Sequence, residues 1–280
     1  MSQRQKRSLS ADVDHDHLVN VKAIILDIEG TTTPITFVKD VLFPYIREHL
    51  EKYIKTNWNE KDVKEDVDAL RKQAKADHDI DGAVPIPDSF DPSCQKEVIS
   101  VQDAVIKNVL WLMDADRKIT ALKQLQGHMW RSGYENGVLK GQVYDDVVPA
   151  IKHWILSGRK VYIYSSGSVE AQKLLFGYSE KGDLLELFSG FFDTVIGAKI
   201  EEDSYRRIAK EIDYKENEIL FVTDVAREAR PCRKAGLKTI IVVRPGNAEL
   251  TEDEINEFLT IHSFQELVSS EDEVKKLKAE

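Results

Sequence analysis

Five side chains able to do polar chemistry stand at the ends of short apolar runs. Asp27 stands near the end of VKAIILDI (21–28) and Glu29 directly after it, Ser165 and Ser166 close KVYIYSS (160–166), and Asp224 closes EILFVTD (218–224). Carboxylates gathered in one place repel, by roughly 4 kcal/mol for two charges 4 Å apart at an effective dielectric near 20. A hard dication removes that penalty. Mg2+ suits the task, because it takes one or two carboxylates and completes its octahedron with water and substrate phosphate. With such an ion present, a carboxylate can attack a phosphoryl group and form an aspartyl-phosphate. The hydroxyls and backbone N–H groups of SSGS, which opens the helical pattern VEAQKLLF, would receive phosphate oxygens. The chemistry indicated is phosphoryl transfer.

These residues need a scaffold that brings strand ends together. The three runs above and KTIIVVRPG (238–246) are nearly continuously apolar, as strands buried on both faces are. The later three each follow a helical pattern. This alternation predicts an α/β fold, a doubly wound, Rossmann-like parallel sheet with helices on both faces, whose ligands bind beyond the carboxyl ends of the strands. Asp27 and Glu29, two apart, would face one side of an extended chain, and the Gly-Thr-Thr-Thr-Pro that follows can turn the backbone around whatever they hold.

One spacing is irregular. Roughly 140 residues separate Asp27 from Ser165, far more than the dozen or so that a single crossover needs. Within the gap, Val38, Val41, Leu42, Tyr45, Ile46, Leu50, Tyr53 and Ile54 keep a helical period, as do Val98, Val101, Val105, Val109 and Leu112, and then Ile119, Leu122 and Leu125. A helical insertion is expected, with DGAVPIPDSFDPS as a proline-rich loop, and over the strand ends it would act as a cap. The expected organisation is a solvated tail (1–20), a catalytic core (21–36 and 146–268), a helical cap (37–145) and a charged tail (269–280).

Composition limits the partners. The chain has 280 residues, 42% of them apolar, and 39 Lys+Arg against 49 Asp+Glu give a net charge of −10. With no basic block, nucleic acid is a poor partner, whereas one local positive site can still hold a small anion. The two cysteines, Cys94 and Cys232, form no Cys-x-x-Cys pattern and suggest a reducing compartment and inert packing. The start lacks the apolar core of a secretory signal, and no run approaches 18 apolar residues. A cytoplasmic monomer acting on a small phosphate is expected, without membrane or nucleic-acid partners, and with a nuclear presence left open.

The motifs also resemble a known family. LDIEGT is similar to the first motif of the haloacid dehalogenase superfamily, an apolar strand followed by Asp-x-Asp-Gly-Thr, although here the second acid is Glu29. YSS after VYI resembles its second motif, Lys199 in GAKIEEDSY its third and FVTDVAREA its acidic fourth, all in order. More narrowly, LDIEGTTTPI, GYENGVLKGQVYDDV, VYIYSSGSVEAQKLLF and VVRPGN resemble the enolase-phosphatases of methionine salvage, over residues 21 to 268. The resemblance implies a haloacid dehalogenase-like core and an acireductone synthase activity. Its substrate would be 2,3-diketo-5-methylthiopentyl 1-phosphate, enolised and then dephosphorylated to 1,2-dihydroxy-3-keto-5-methylthiopentene. It implies Asp27 as nucleophile and metal ligand, Glu29 as proton donor to the leaving oxygen and carbonyl ligand, and Asp224 as the remaining ligand of one Mg2+. Ser165, Ser166 and Lys199 would hold the phosphate, and Glu228 would orient Lys199 or a metal-bound water. Glu29 is the favoured base for the enolisation.

Plainer roles compete. Glu29 could cap a turn, Ser165 or Ser168 could be a helix N-cap, Lys199 could be an idle surface lysine, and Glu228 could simply suit the start of a helix. Trp130, Tyr134 and Lys140 could close over the methylthio end, but Trp130 also fits an amphipathic face with Leu122 and Leu125. Asp14-His15-Asp16-His17 lies in a polar tail without an anchor. GYSEKG (177–182) lacks the Lys-Ser/Thr of a nucleotide P-loop, and no Gly-x-Ser-x-Gly elbow accompanies His128 or His153. Two rival functions remain: a capped Mg-dependent phosphatase for another small phosphate, and a noncatalytic protein-binding relative.

Overall fold

The structure is a computed structural model that describes residues 18–268. The Asp14–His17 cluster, the charged tail 269–280 and most of the tail 1–20 lie outside the described residues. In chain order the elements are β1 (Ala23–Leu26), a short α1 (Ile35–Phe37) continuing through a π-helical turn (Val38–Leu42) into α2 (Phe43–Thr56), then α3 (Lys61–Ala76), α4 (Gln95–Asp114) and α5 (Thr120–Glu135). There follow α6 (Val147–Leu156), β2 (Lys160–Tyr164), α7 (Val169–Gly177), β3 (Gly190–Phe192), α8 (Glu202–Ile212), β4 (Ile219–Thr223), α9 (Ala226–Lys234), β5 (Lys238–Val242), α10 (Glu252–Glu257) and β6 (Thr260–Ile261).

The strands form one sheet in the order β3-β2-β1-β4-β5-β6, with every pairing parallel. The four expected runs are its four inner strands. β1 lies between β2 and β4, Leu26 aligning with Ile163 on one side and Val222 on the other. All four residues of β1 and all five of β4 are buried, as central parallel strands covered on both faces must be. On one face Ile25, Tyr164 and Phe221 pack with Tyr205 and Ile208 of α8 and Cys232 of α9, so Cys232 is a packing residue. The two short edge strands, β3 and β6, were not expected. Segments of three and two residues carry too little pattern to separate from loop.

The chain divides into two compact units. The first comprises the described residues up to Ile35, Gln142–Gln172 and the chain from Ser179; the second comprises Thr36–Gly141 with Lys173–Tyr178. The second is helical and has its own core, in which Ile46, Leu50 and Ile54 of α2, Val105, Val109 and Leu112 of α4, and Leu122 and Leu125 of α5 meet. α3 escaped the sequence reading because its composition is dominated by charge, but Val63, Val67, Leu70 and Ala74 still line one buried stripe. Asp66 shares that buried side. It is fully buried and accepts hydrogen bonds from Gln124 (2.8 Å) while facing His128 Nδ1 at 2.8 Å. His128 thus serves packing between α3 and α5. The proline-rich loop is present and is pinned, Asn108 donating to the Val84 carbonyl at 2.6 Å and Arg71 to that of Pro87 at 2.7 Å. Trp130 packs against the helical core and donates to the Leu42 carbonyl at 3.0 Å, which fits its plainer role. No helix among the described residues is long and apolar enough to cross a membrane.

Candidate active site

β1 delivers Asp27 one residue past its end. The carboxylate is buried, its Oδ1 accepting the N–H of Ile28 at 2.7 Å. The chain then turns through Gly30, whose φ of +71° few other residues adopt. The turn is tight: Thr31, Thr32 and Thr33 all donate their N–H groups to the Ile28 carbonyl, and the Thr32 hydroxyl reaches the Asp27 carbonyl at 3.1 Å. Because β1 ends before Asp27, Asp27 and Glu29 do not share one face of a strand. Asp27 is buried, whereas Glu29 is exposed.

Lys199 arrives on the loop before α8 and is almost wholly buried. Its Nζ lies 2.7 Å from Asp27 Oδ1 and 2.8 Å from Glu228 Oε2. Beneath it, the rings of Tyr164 and Phe221 each lie 5.9 Å from the ammonium. Burial pulls its pKa down, but the charges of Asp27 and Glu228 outweigh burial and hold the ammonium protonated above its ordinary value. Glu228, on the first turn of α9, is pushed up by burial and by Asp27 and pulled back by Lys199. The Thr223 hydroxyl is 3.0 Å from Glu228 Oε2 and 3.3 Å from Asp27 Oδ2, bridging the two acids from the end of β4. The Tyr205 hydroxyl, also beneath the site, lies 2.6 Å from the Lys199 carbonyl and 3.1 Å from that of Glu228.

Asp224, at the next position after β4, completes an acidic set around Asp27. Burial, then the charges of Asp27 and Glu228, push its pKa up to about 7, against a smaller downward pull from Lys199. The chain packs it hard against the turn: a Cβ placed on Gly30 would fall 2.4 Å from Asp224 Oδ2. One lysine is therefore set among three acids, and this excess of negative charge fits a divalent cation. Among the described residues no group of three or more His, Cys, Asp or Glu side chains could hold a metal. A cation between Asp27 and Asp224 would thus need backbone carbonyl and water to fill its shell, as Mg2+ accepts and structural zinc does not.

The second strand end is built differently from the first. Ser165 is buried and Ser166 exposed. The Ser168 hydroxyl accepts the N–H of Ala171 at 3.2 Å, and Asp193 Oδ2 accepts that of Val169 at 3.0 Å. Ser168 is thus the N-cap of α7, and Asp193 satisfies another donor of its first turn. Asp193, Thr223 and Tyr205 were absent from the sequence reading. For Thr223 a signal existed, a hydroxyl at the end of an apolar strand beside Asp224; for Asp193 and Tyr205 only the fold reveals the role. GYSEKG forms a turn bridged between Ser179 and Gly182.

A family model for haloacid dehalogenase-like hydrolases matches residues 21–236. Enolase-phosphatase E1 of Branchiostoma floridae is 57% identical over 268 residues, covering 92% of this chain and 88% of that one. Enolase-phosphatase E1 of Xenopus tropicalis is 56% identical over 247 residues, covering 88% and 94%. Among solved structures, the UTR4 protein of Saccharomyces cerevisiae superposes with a TM-score of 0.69 at 32% identity, covering 88% of this chain and 99% of that one. The order of motifs, the parallel sheet and these relatives agree, and the chain belongs to the haloacid dehalogenase-like hydrolases and, within them, to the enolase-phosphatase E1 family.

Proposed function

We propose that the chain enolises 2,3-diketo-5-methylthiopentyl 1-phosphate and then hydrolyses the phosphate ester, yielding 1,2-dihydroxy-3-keto-5-methylthiopentene and phosphate in methionine salvage. The observation that carries the reading is the 57% identity to an enolase-phosphatase E1 along nearly the whole chain. The site's chemistry agrees with it.

In this reading Asp27 attacks phosphorus and becomes an aspartyl-phosphate, while Glu29 protonates the departing enol oxygen. Water then releases phosphate and restores the carboxylate. Ser165, Ser166 and Lys199 take the phosphate oxygens, and the hydrogen bond from Lys199 to Glu228 fixes where the ammonium points. Asp27, Asp224 and the Glu29 carbonyl would hold one Mg2+, which supplies charge stabilisation to the phosphoryl group and to an enediolate. Glu29 is exposed, which suits it to proton transfer with a bound substrate, at the ester oxygen and at the carbon acid. The role of the helical insertion as a cap belongs to the same reading and rests on its place in the chain, directly after the strand that carries Asp27.

A coupled assay on the diketone phosphate, with Mg2+ and with chelator, tests the proposal. Phosphate release accompanied by enediol absorbance, both lost with chelator, is the expected result. Phosphate without the enediol would reduce the protein to a simple phosphatase, and no turnover on any phosphate would favour a binding role.

A further inference from the structure

We infer that Asn247 is an additional residue of the cation site, its side-chain oxygen accepting a hydrogen bond from water bound to the divalent ion. This rests on the Mg2+-dependent reading above. It concerns a residue beyond β5, a strand end to which the reaction assigns nothing.

The turn after Glu29 is held from outside at successive carbonyls. Asn247 Nδ2 donates to the Gly30 carbonyl at 3.0 Å, Arg244 Nε to that of Thr31 at 3.3 Å, and the N–H of Tyr144 to that of Thr32 at 3.0 Å. Arg244 is itself buried, paired with Asp146 at 2.9 Å and placed over the rings of Tyr144 and Phe264, 4.3 and 4.9 Å from their centroids. The Asn247 N–H donates to the Arg244 carbonyl at 3.2 Å. The segment leaving β5 is therefore a rigid mount for the turn that carries Glu29.

The orientation of the Asn247 amide follows from its neighbours. Its nitrogen faces two groups that can only accept, the carbonyls of Gly30 and of Val242 (3.4 Å), so the oxygen must point the other way. There Oδ1 is buried and has no hydrogen-bond partner within the protein. A buried acceptor left unsatisfied is unfavourable, because it has given up water without gaining a donor. A Cβ on Gly30 would stand 2.9 Å from Asn247 Oδ1 and 2.4 Å from Asp224 Oδ2, so amide and carboxylate oxygens converge on one side of the Gly30 α-carbon. Two acceptors that converge need a donor. Asp224 is a proposed ligand of the ion, and water in the ion's shell carries protons that would satisfy Asn247.

The test is titration calorimetry of Mg2+ into the full-length protein, comparing wild type with Asn247→Ala and Asn247→Asp. Removing such a partner weakens metal binding by about tenfold or more, and that is expected of Asn247→Ala. Asn247→Asp keeps the acceptor but loses the donor to Gly30, and should bind no more than about threefold more weakly than wild type. A weakening of less than about threefold in the alanine variant overturns the inference. So does an aspartate variant as weak as alanine, because the amide would then act only by holding the turn. Wild type that binds no Mg2+ removes the cation site itself, an outcome distinct from either. Metal-free melting curves verify folding; should Asn247→Ala not fold, Asn247→Leu, of similar branched shape, takes its place.

Discussion

Lys199 Nζ lies 2.7 Å from Asp27 Oδ1, both side chains buried, so the carboxylate at the end of β1 is neutralised by an ammonium delivered from a different crossover. Glu228 on the far side of the lysine holds it in that place. Removing the cation strands two buried carboxylates. Lys199→Met should lower the unfolding free energy by about 3–5 kcal/mol in urea titrations and slow phosphate release by about a hundredfold or more. A variant with wild-type stability would show that the three groups do not act as a buried network.

Gly30→Ala separates a local effect from a global one. The positive φ strains any side chain by about 1–2 kcal/mol, and the added methyl meets the Asp224 carboxylate. Displacing a site carboxylate by about 1 Å can lower turnover about a hundredfold. The expected outcome is a modest drop in melting temperature with a disproportionate loss of kcat/KM. Equal, small losses in both would count against Asp224 as part of the site.

The strand-end acids are legible in the sequence itself. The inner strands stood out because strands buried on both faces are continuously apolar, and Asp27, Glu29 and Asp224 fall where such strands end. Lys199 gave no physical signal of its own; a lysine in GAKIEE looks like surface, and only motif order marked it. Asp193 and Asn247 stayed invisible for another reason. Each acts through a backbone or side-chain group distant in sequence, and neither periodicity nor local spacing encodes such a pairing. α3 was hidden by its charge, although its apolar residues keep helical register.

Protein stripped of divalent cation should show a pH dependence traceable to Asp224. Its pKa rises from 3.8 to about 7, burial being the leading cause. Between those values the folded chain keeps a proton that the unfolded chain has released, so this group's contribution to stability falls as pH rises from about 4 to 7. Glu228 and Asp66 are shifted in the same direction, burial first in each case. Urea midpoints measured in chelator at pH 5 and pH 7.5 should drop more for wild type than for Asp224→Asn. Identical drops would refute the assignment.

Asp66 offers a prediction confined to the helical unit. Asp66→Ala deletes the carboxylate shared by Gln124 and His128 and leaves these two half-buried polar groups without that partner. A loss of about 3 kcal/mol in denaturant unfolding is expected, with Asp66→Asn losing less because an acceptor oxygen survives. If alanine and asparagine are equally tolerated, the pair contributes little to packing of α3 on α5.

Tyr205 gives the site a common datum. Its hydroxyl reaches the main chain of both Lys199 and Glu228, which come from separate crossovers on the same side of the sheet. The ammonium and the carboxylate that aims it are thus gauged from one phenolic oxygen. When the loop before α8 or the first turn of α9 shifts during thermal breathing, the other is drawn along, and the alignment of the lysine outlasts small drifts of either segment.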